Sequence, residues 1–143
     1  MNIEQYLNEL IQREGGYVNN PADRGGATKY GITEAVARAS GFKGHMRDLP
    51  LSVAKDIYRK QYWISPRFDQ VNVISAAVAE ELLDTGVNCG TGFAKPLLQR
   101  ALNLLNNQGK GGWSDLVVDG VYGSATLNSL KTFMAKQIGR AHV

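Results

Sequence analysis

The sequence predicts a mainly helical α+β fold, a bundle of helices that carries a small β-hairpin region. Apolar residues recur at helical spacing in several segments, each followed by glycine or a polar turn. One stretch, residues 15–33, is instead rich in glycine and asparagine, and a hairpin is predicted at about 17–32. A length of 143 residues with 43% hydrophobic residues suits one soluble globular domain.

The first predicted helix covers residues 3–14 and ends with a carboxylate. Its apolar residues, up to Ile11, share one face, and Glu14 continues that face before Gly15 stops the helix. A carboxyl group held against an apolar face is harder to ionise, so we expect a raised pKa for Glu14. A general acid needs such a pKa near neutral pH. The alternative is a last-turn glutamate that points to water.

Two more polar residues follow Glu14 at a defined spacing. Asp23 comes after eight intervening residues and Thr28 after four more, in the run E-G-G-Y-V-N-N-P-A-D-R-G-G-A-T-K-Y-G-I-T. Polar neighbours should keep Asp23 ionised, and two carboxyls in contrasting surroundings are typical of an acid/base pair. The structural alternatives are an Asx turn at Asp23 and a hairpin position at Thr28.

This run resembles the glycoside hydrolase family 108 muramidases, which occur in phage endolysins and bacterial secretion activators. Its Glu, Asp and Thr spacing is similar to that of phage-type lysozymes. The resemblance implies a lysozyme-like fold whose hairpin region forms one lip of the active-site cleft. It further implies hydrolysis of the β-1,4 bond between N-acetylmuramic acid and N-acetylglucosamine, with Glu14 as general acid and Asp23 and Thr28 positioning water. No metal and no cofactor are expected.

Four further residues are predicted to bind substrate. Tyr17 and Tyr30 lie within the motif run, and Tyr62 belongs to a Tyr-Trp pair that recurs in the family, although aromatic residues at its helical spacing are also typical of a core. Asn88 lies in D-T-G-V-N-C-G, which resembles a string of lysozyme-like folds whose asparagine is near the cleft. Its alternative role is a helix C-cap beside Gly90.

The remaining elements follow from spacing and capping. Thr33 is predicted to cap a helix over 34–40, and residues 51–63 form a second amphipathic helix. Residues 75–89 are apolar on most sides, which predicts a helix at the centre of the bundle. Pro96 is predicted to open the next helix, and Ser124 to cap the last one.

The C-terminal third contains a second motif. Asp119 to Thr126 resembles the D-G-x-x-G-x-x-T element of peptidoglycan-binding helical modules. We therefore expect a catalytic region over 1–90 and a helical peptidoglycan-binding region over 91–137, packed together as one compact domain. Residues 138–143 equal one reading frame of a common sequencing adapter, so we expect a truncated protein with a non-native tail after Gln137. The alternative is an ordinary polar terminus.

Charge and composition limit the partners. The net charge of +3 suits an anionic wall polymer, and the scattered Lys and Arg residues argue against nucleic acid. The single cysteine, Cys89, is expected to be a buried or half-buried thiol, and His45 and His142 form no metal motif. With no signal peptide and no apolar stretch of about 18 residues, we expect a monomer made in the host cytoplasm, not inserted in a membrane, that reaches the wall after release.

Three alternative functions stay open. A lytic transglycosylase needs only the acidic Glu14 and forms a 1,6-anhydro product, but Asp23 and Thr28 argue against it. A chitinase would cleave the same linkage in another polymer. A non-catalytic wall-binding or secretion-accessory protein belongs to a different class, which the expected truncation keeps open.

Overall fold

The computed structural model describes residues 2–19, 26–107 and 109–141 of the chain. They form seven α-helices and one two-stranded antiparallel sheet, which confirms the predicted mainly helical fold with a small hairpin. The chain divides into two compact units, residues 2–61 and residues 62–143. Within the described ranges, no helix is both long and apolar enough to cross a membrane.

The described residues of the N-terminal unit form three helices, a hairpin and one 3-10 turn. In chain order these are α1 (Ile3–Glu14), β1 (Thr28–Lys29), β2 (Ile32–Thr33), α2 (Glu34–Ala39), the 3-10 turn Met46–Asp48 and α3 (Leu51–Arg59). The predicted helix ends are confirmed at two places. Gly15 ends α1 with φ +82°, and the Thr33 hydroxyl accepts a hydrogen bond from the Val36 amide to cap α2.

Helix α1 packs its apolar face against α3. Leu7, Leu10 and Ile11 are buried on that face. At the start of α1, the Glu4 carboxylate forms ion pairs with Lys55 and Arg59 of α3. Hydrogen bonds from Lys55, which has the larger effect, and from Arg59 hold the pKa of Glu4 below its ordinary value.

The hairpin turns through only two residues. Thr28 pairs with Thr33 and Lys29 with Ile32, so Tyr30 and Gly31 form the loop with φ +54° and +76°. Positive φ at both positions is the pattern of a type I′ turn. Val18 extends the pairing, since it exchanges two 2.8 Å backbone hydrogen bonds with Thr28.

In the C-terminal unit, the part of the chain that the structure describes forms four helices. A π-helical turn, Lys60–Ile64, continues from α3 and leads to α4 (Phe68–Ile74), α5 (Ala76–Cys89), α6 (Thr91–Leu105) and α7 (Ser124–Ala141). Helix α5 packs against both α4 and α6, as predicted for the most apolar helix. Gly86 permits this approach, because a β-carbon there would lie 3.3 Å from both Phe68 and Thr91 side chains.

Gln99 joins α6 to the loop that precedes α7. Its side chain is 1% exposed, donates to Asp119, Val121 and Thr126, and accepts from the amides of Asp119 and Gly120. Asp119 also accepts a hydrogen bond from the Val121 amide, and these contacts lower its pKa. The predicted Asp-Gly turn is thus fixed by the core of the C-terminal unit.

The structure corrects four expectations about this unit. Helix α4 was not predicted. Helix α6 begins at Thr91, so Pro96 lies inside it, and Ser124 is the first residue of α7 instead of its cap. Cys89, the last residue of α5, is exposed, not buried or half-buried.

Candidate active site

Glu14 is the last residue of α1, and its side chain is exposed. The expectation that an apolar face would bury this carboxyl is therefore wrong. Leu10 and Ile11 are buried one turn earlier, at 2% exposure each, but the chain turns away at Gly15. The last turn of the helix consequently presents Glu14 to solvent.

Gly31, in the hairpin turn, faces the Glu14 side chain. A β-carbon on Gly31 would lie 3.0 Å from Glu14 Oε2 and 3.1 Å from Glu14 Cβ. The same point is 2.8 Å from Tyr58 Oη. The absence of a side chain at Gly31 thus leaves room for a carboxylate and a phenol hydroxyl at the end of α1.

Tyr30 has a backbone conformation that is unusual for a bulky residue. Its φ of +54° lies in the left-handed region, where asparagine and glycine are favoured. The hydroxyl of Tyr58, a residue only 7% exposed, donates a 2.6 Å hydrogen bond to the Tyr30 carbonyl and holds the turn. Residues held in strained backbone conformations cluster at functional sites, so Tyr30 is a candidate for a functional side chain.

Tyr17 lies in a cluster of basic and aromatic side chains. Its ring centroid is 5.6 Å from that of His45, and the Arg47 guanidinium carbon is 5.7 Å from the ring centre. Lys29 Nζ donates a 2.5 Å hydrogen bond to the Arg47 carbonyl and lies 5.2 Å from the centre of the Tyr30 ring. Both predicted tyrosines of the motif run are therefore beside cations.

Thr28 is partly buried in β1 and pairs with Thr33 in the sheet. It lies two residues before Tyr30, so the motif threonine belongs to the same hairpin as the turn that faces Glu14. Asp23 lies outside the described residues. Its predicted role, and that of Thr28, stay predictions.

Two predicted substrate-binding residues belong to the C-terminal unit. Tyr62 lies in the π-helical turn and is partly buried. Asn88 is exposed in the last turn of α5, where its Nδ2 lies 3.3 Å from Asp84 Oδ1. Gly90, with φ +93°, takes the C-cap position, so Asn88 is not the cap. A role for either residue in substrate binding stays a prediction.

A groove along α1 was not predicted from the sequence. Its volume is about 600 Å³, and it is lined by Asn8, Ile11, Gln12, Gly15, Gly16, Tyr30 and Leu51. The sequence carries no distinctive signal for it, because Asn8 and Gln12 have an i, i+4 spacing that solvated residues on any helix share. In the described ranges, no three His, Cys, Asp or Glu side chains form a group that could hold a metal.

The chain is similar to a known family and to solved structures. The family described as glycosyl hydrolase 108 matches residues 7–90, a range that includes Glu14, Asp23 and Thr28. The solved structure of Brucella abortus SagA is 28% identical in sequence and superposes with a TM-score of 0.60. That match covers 97% of this chain and 76% of SagA. None of the curated proteins matches the chain significantly.

Proposed function

Because the chain belongs to the glycosyl hydrolase 108 family, we propose that it hydrolyses peptidoglycan at the β-1,4 bond between N-acetylmuramic acid and N-acetylglucosamine. The observation that supports this most is the position of Glu14. Its carboxylate is accessible at a helix end, and a tight turn fixes the backbone that faces it. A proton donor for a glycosidic oxygen needs both access to a polymer and a defined position.

In the proposed reaction, protonated Glu14 donates its proton to the glycosidic oxygen as the bond from that oxygen to the anomeric carbon breaks. Positive charge develops at the sugar ring, and a water molecule adds to the anomeric carbon. The water loses a proton to a carboxylate base, for which Asp23 is the candidate. The products are two shorter glycans, one of which has a new reducing end.

We propose inversion, with Asp23 and the Thr28 hydroxyl holding the attacking water. This assignment comes from the spacing of the motif and from the place of Thr28 in the hairpin next to the Tyr30–Gly31 turn. Inverting enzymes keep their two carboxyls about 6.5–9.5 Å apart, and retaining enzymes about 5–5.5 Å apart. An α-anomer as the first product would support inversion, whereas an initial β-anomer would contradict it.

Mass spectrometry of the products from purified peptidoglycan tests the proposed function. Hydrolysis adds one water to each cleaved bond and leaves N-acetylmuramic acid at the reducing end. A lytic transglycosylase would instead leave a 1,6-anhydro product that is lighter by one water. Digestion of chitin with untouched peptidoglycan would indicate a chitinase, and the absence of any product would indicate a non-catalytic protein.

We also propose that residues 91–137 bind the wall polymer. Two large apolar residues, Val117 and Val121, are 76% and 64% exposed beside a groove of about 500 Å³ in this region. Their exposure favours a contact with another molecule. In a Glu14→Gln background, which separates binding from cleavage, Val117→Ser with Val121→Ser should lower the fraction that sediments with purified wall. An unchanged fraction would contradict wall binding at this groove.

A further inference from the structure

We propose that the groove along α1 binds the acetamido group of an N-acetylhexosamine residue of the glycan. The inference rests on the proposed function in one respect, namely that a glycan with such sugars is the substrate. It adds a recognition site that involves Asn8, Gln12 and Leu51, three residues outside the motif run.

The shape of the groove suits a sugar residue. Its volume of about 600 Å³ lies within the range of about 300–1,000 Å³ that is common for small-molecule sites. At one end, Gly15 and Gly16 leave the space open, since a β-carbon at either position would have no neighbour within 4 Å. A polymer could therefore continue beyond the groove.

Asn8 and Gln12 supply the polar contacts. They are one helical turn apart on α1 and exposed, and within the described part of the chain neither side chain has a hydrogen-bond partner. Gln5 of the same helix differs, because its amide donates a 3.4 Å hydrogen bond to Glu9. An amide side chain both donates and accepts, which matches the N–H and C=O of an acetamido group.

Leu51 supplies an accessible apolar contact in the groove, which the buried Ile11 also lines. Ile11 is 2% exposed and Leu51 is 48% exposed. An acetamido group carries a methyl group beside its amide, so apolar and amide side chains together match both of its parts. A sugar with a free amine at the same carbon lacks that methyl group and that carbonyl.

Tyr30 links the groove to Glu14. Tyr30 lines the groove, while the next residue, Gly31, faces the Glu14 carboxylate. The bond from Tyr58 to the Tyr30 carbonyl fixes both residues of the turn. A sugar that contacts Tyr30 would thus lie next to the bond that Glu14 is proposed to protonate.

Calorimetric titration of the Glu14→Gln protein tests the site without cleavage. The probe is the peptide-free tetrasaccharide of alternating N-acetylglucosamine and N-acetylmuramic acid, at fixed ionic strength. Replacing both amides, Asn8→Ala with Gln12→Ala, should weaken binding on the order of tenfold, because two hydrogen bonds are lost. Gln5→Ala is the matched control on the same helix and should change binding less than about twofold.

A second probe and a second variant complete the test. The chemically de-N-acetylated tetrasaccharide should bind the parent protein on the order of tenfold more weakly, and Leu51→Asn should reduce that difference. The inference would be overturned if the parent Glu14→Gln protein bound the two probes with equal affinity. It would also be overturned if the double variant bound the N-acetylated tetrasaccharide as tightly as the parent does, or if the parent did not bind it. The titration does not depend on cleavage. If the protein prefers the N-acetylated tetrasaccharide but the product analysis detects no hydrolysis of peptidoglycan, only the proposed function is refuted.

Discussion

Gly31 provides the space in which the Glu14 side chain sits, since a β-carbon on Gly31 would lie 3.0 Å from Glu14 Oε2. The two residues are seventeen positions apart in the sequence, and the hairpin turn brings them together. Gly31 also needs its φ of +76°, which residues with side chains adopt at a cost. A side chain at position 31 of the turn would therefore collide with Glu14, the proposed proton donor.

Gly31→Ala should lower both stability and activity. The added methyl group would displace the Glu14 carboxylate or the Tyr58 hydroxyl, and it would strain the backbone by about 1 kcal/mol or more. Chemical denaturation and wall lysis would measure the two effects. Gly92→Ala is the matched control, because its φ is not positive, its β-carbon would meet nothing within 4 Å and it lies outside the groove along α1. Equal behaviour of the two variants would contradict the steric clash.

Tyr30→Asn should raise stability and lower activity. Asparagine accepts the left-handed conformation more readily than tyrosine, and Asn-Gly is a preferred type I′ pair. We expect a gain of about 1 kcal/mol in the free energy of unfolding. The variant would lose the aromatic ring of the groove, so glycan binding should weaken. A loss of stability would show that Tyr30 is not strained at this position.

Thr28→Val and Thr33→Val should have opposite effects, although the two threonines pair across the hairpin. Thr28→Val removes the hydroxyl proposed to hold water, so activity should fall with little change in stability. Thr33→Val removes the cap of α2, which should cost about 1 kcal/mol in stability and spare activity. Unfolding curves and lysis rates of both variants make the comparison. Full activity of Thr28→Val would remove this residue from the mechanism.

The ion pairs of Glu4 should make stability fall in acid. Lys55 and Arg59 lower the pKa of folded Glu4, so its contribution is present above the unfolded pKa of about 4.3. The contribution is lost as the pH falls through the folded pKa. The stability difference between wild type and Glu4→Gln should therefore shrink below about pH 4. Denaturant titrations of both proteins at several pH values test this, and a constant difference would contradict it.

Local sequence signals predicted much of the N-terminal unit. The glycine after Glu14 and the capping Thr33 mark helix ends that depend on residues close in sequence, and the structure confirms both. In the C-terminal unit, residues 75–89 were predicted as a helix because they are apolar on most sides, and α5 covers Ala76–Cys89. Such features need no knowledge of the tertiary fold.

The exposure of helix ends could not be predicted in the same way. Periodicity placed Glu14 on the buried face of α1, and it gave no sign that the last turn of α5 would expose Cys89. In both cases the helix ends at a glycine, and burial depends on whether a distant segment covers the last turn. The start of α6 at Thr91, which leaves Pro96 inside the helix, could not be predicted either, because residues 91–95 show little apolar periodicity.

The approach of Gly31 to Glu14 and the groove along α1 also depend on tertiary structure. The motif run contains Gly31 and Tyr30, but only the folded hairpin shows which of them faces the carboxylate and which lines the groove. Asn8 and Gln12 carry no motif, so spacing alone could not distinguish them from solvated helix residues. Leu51 likewise carries no sequence signal, because only the folded structure places it in the groove.

The rate of peptidoglycan hydrolysis by Glu14→Gln tests the central claim most directly. The amide keeps the shape of the side chain but cannot donate the proton, so we expect a loss of ~10²–10⁴-fold or more. Circular dichroism and unfolding should stay unchanged, since the side chain is exposed. Glu9→Gln, a neutralised carboxylate on the same helix, should keep near wild-type activity. A Glu14→Gln protein that lyses walls at the wild-type rate would contradict the account.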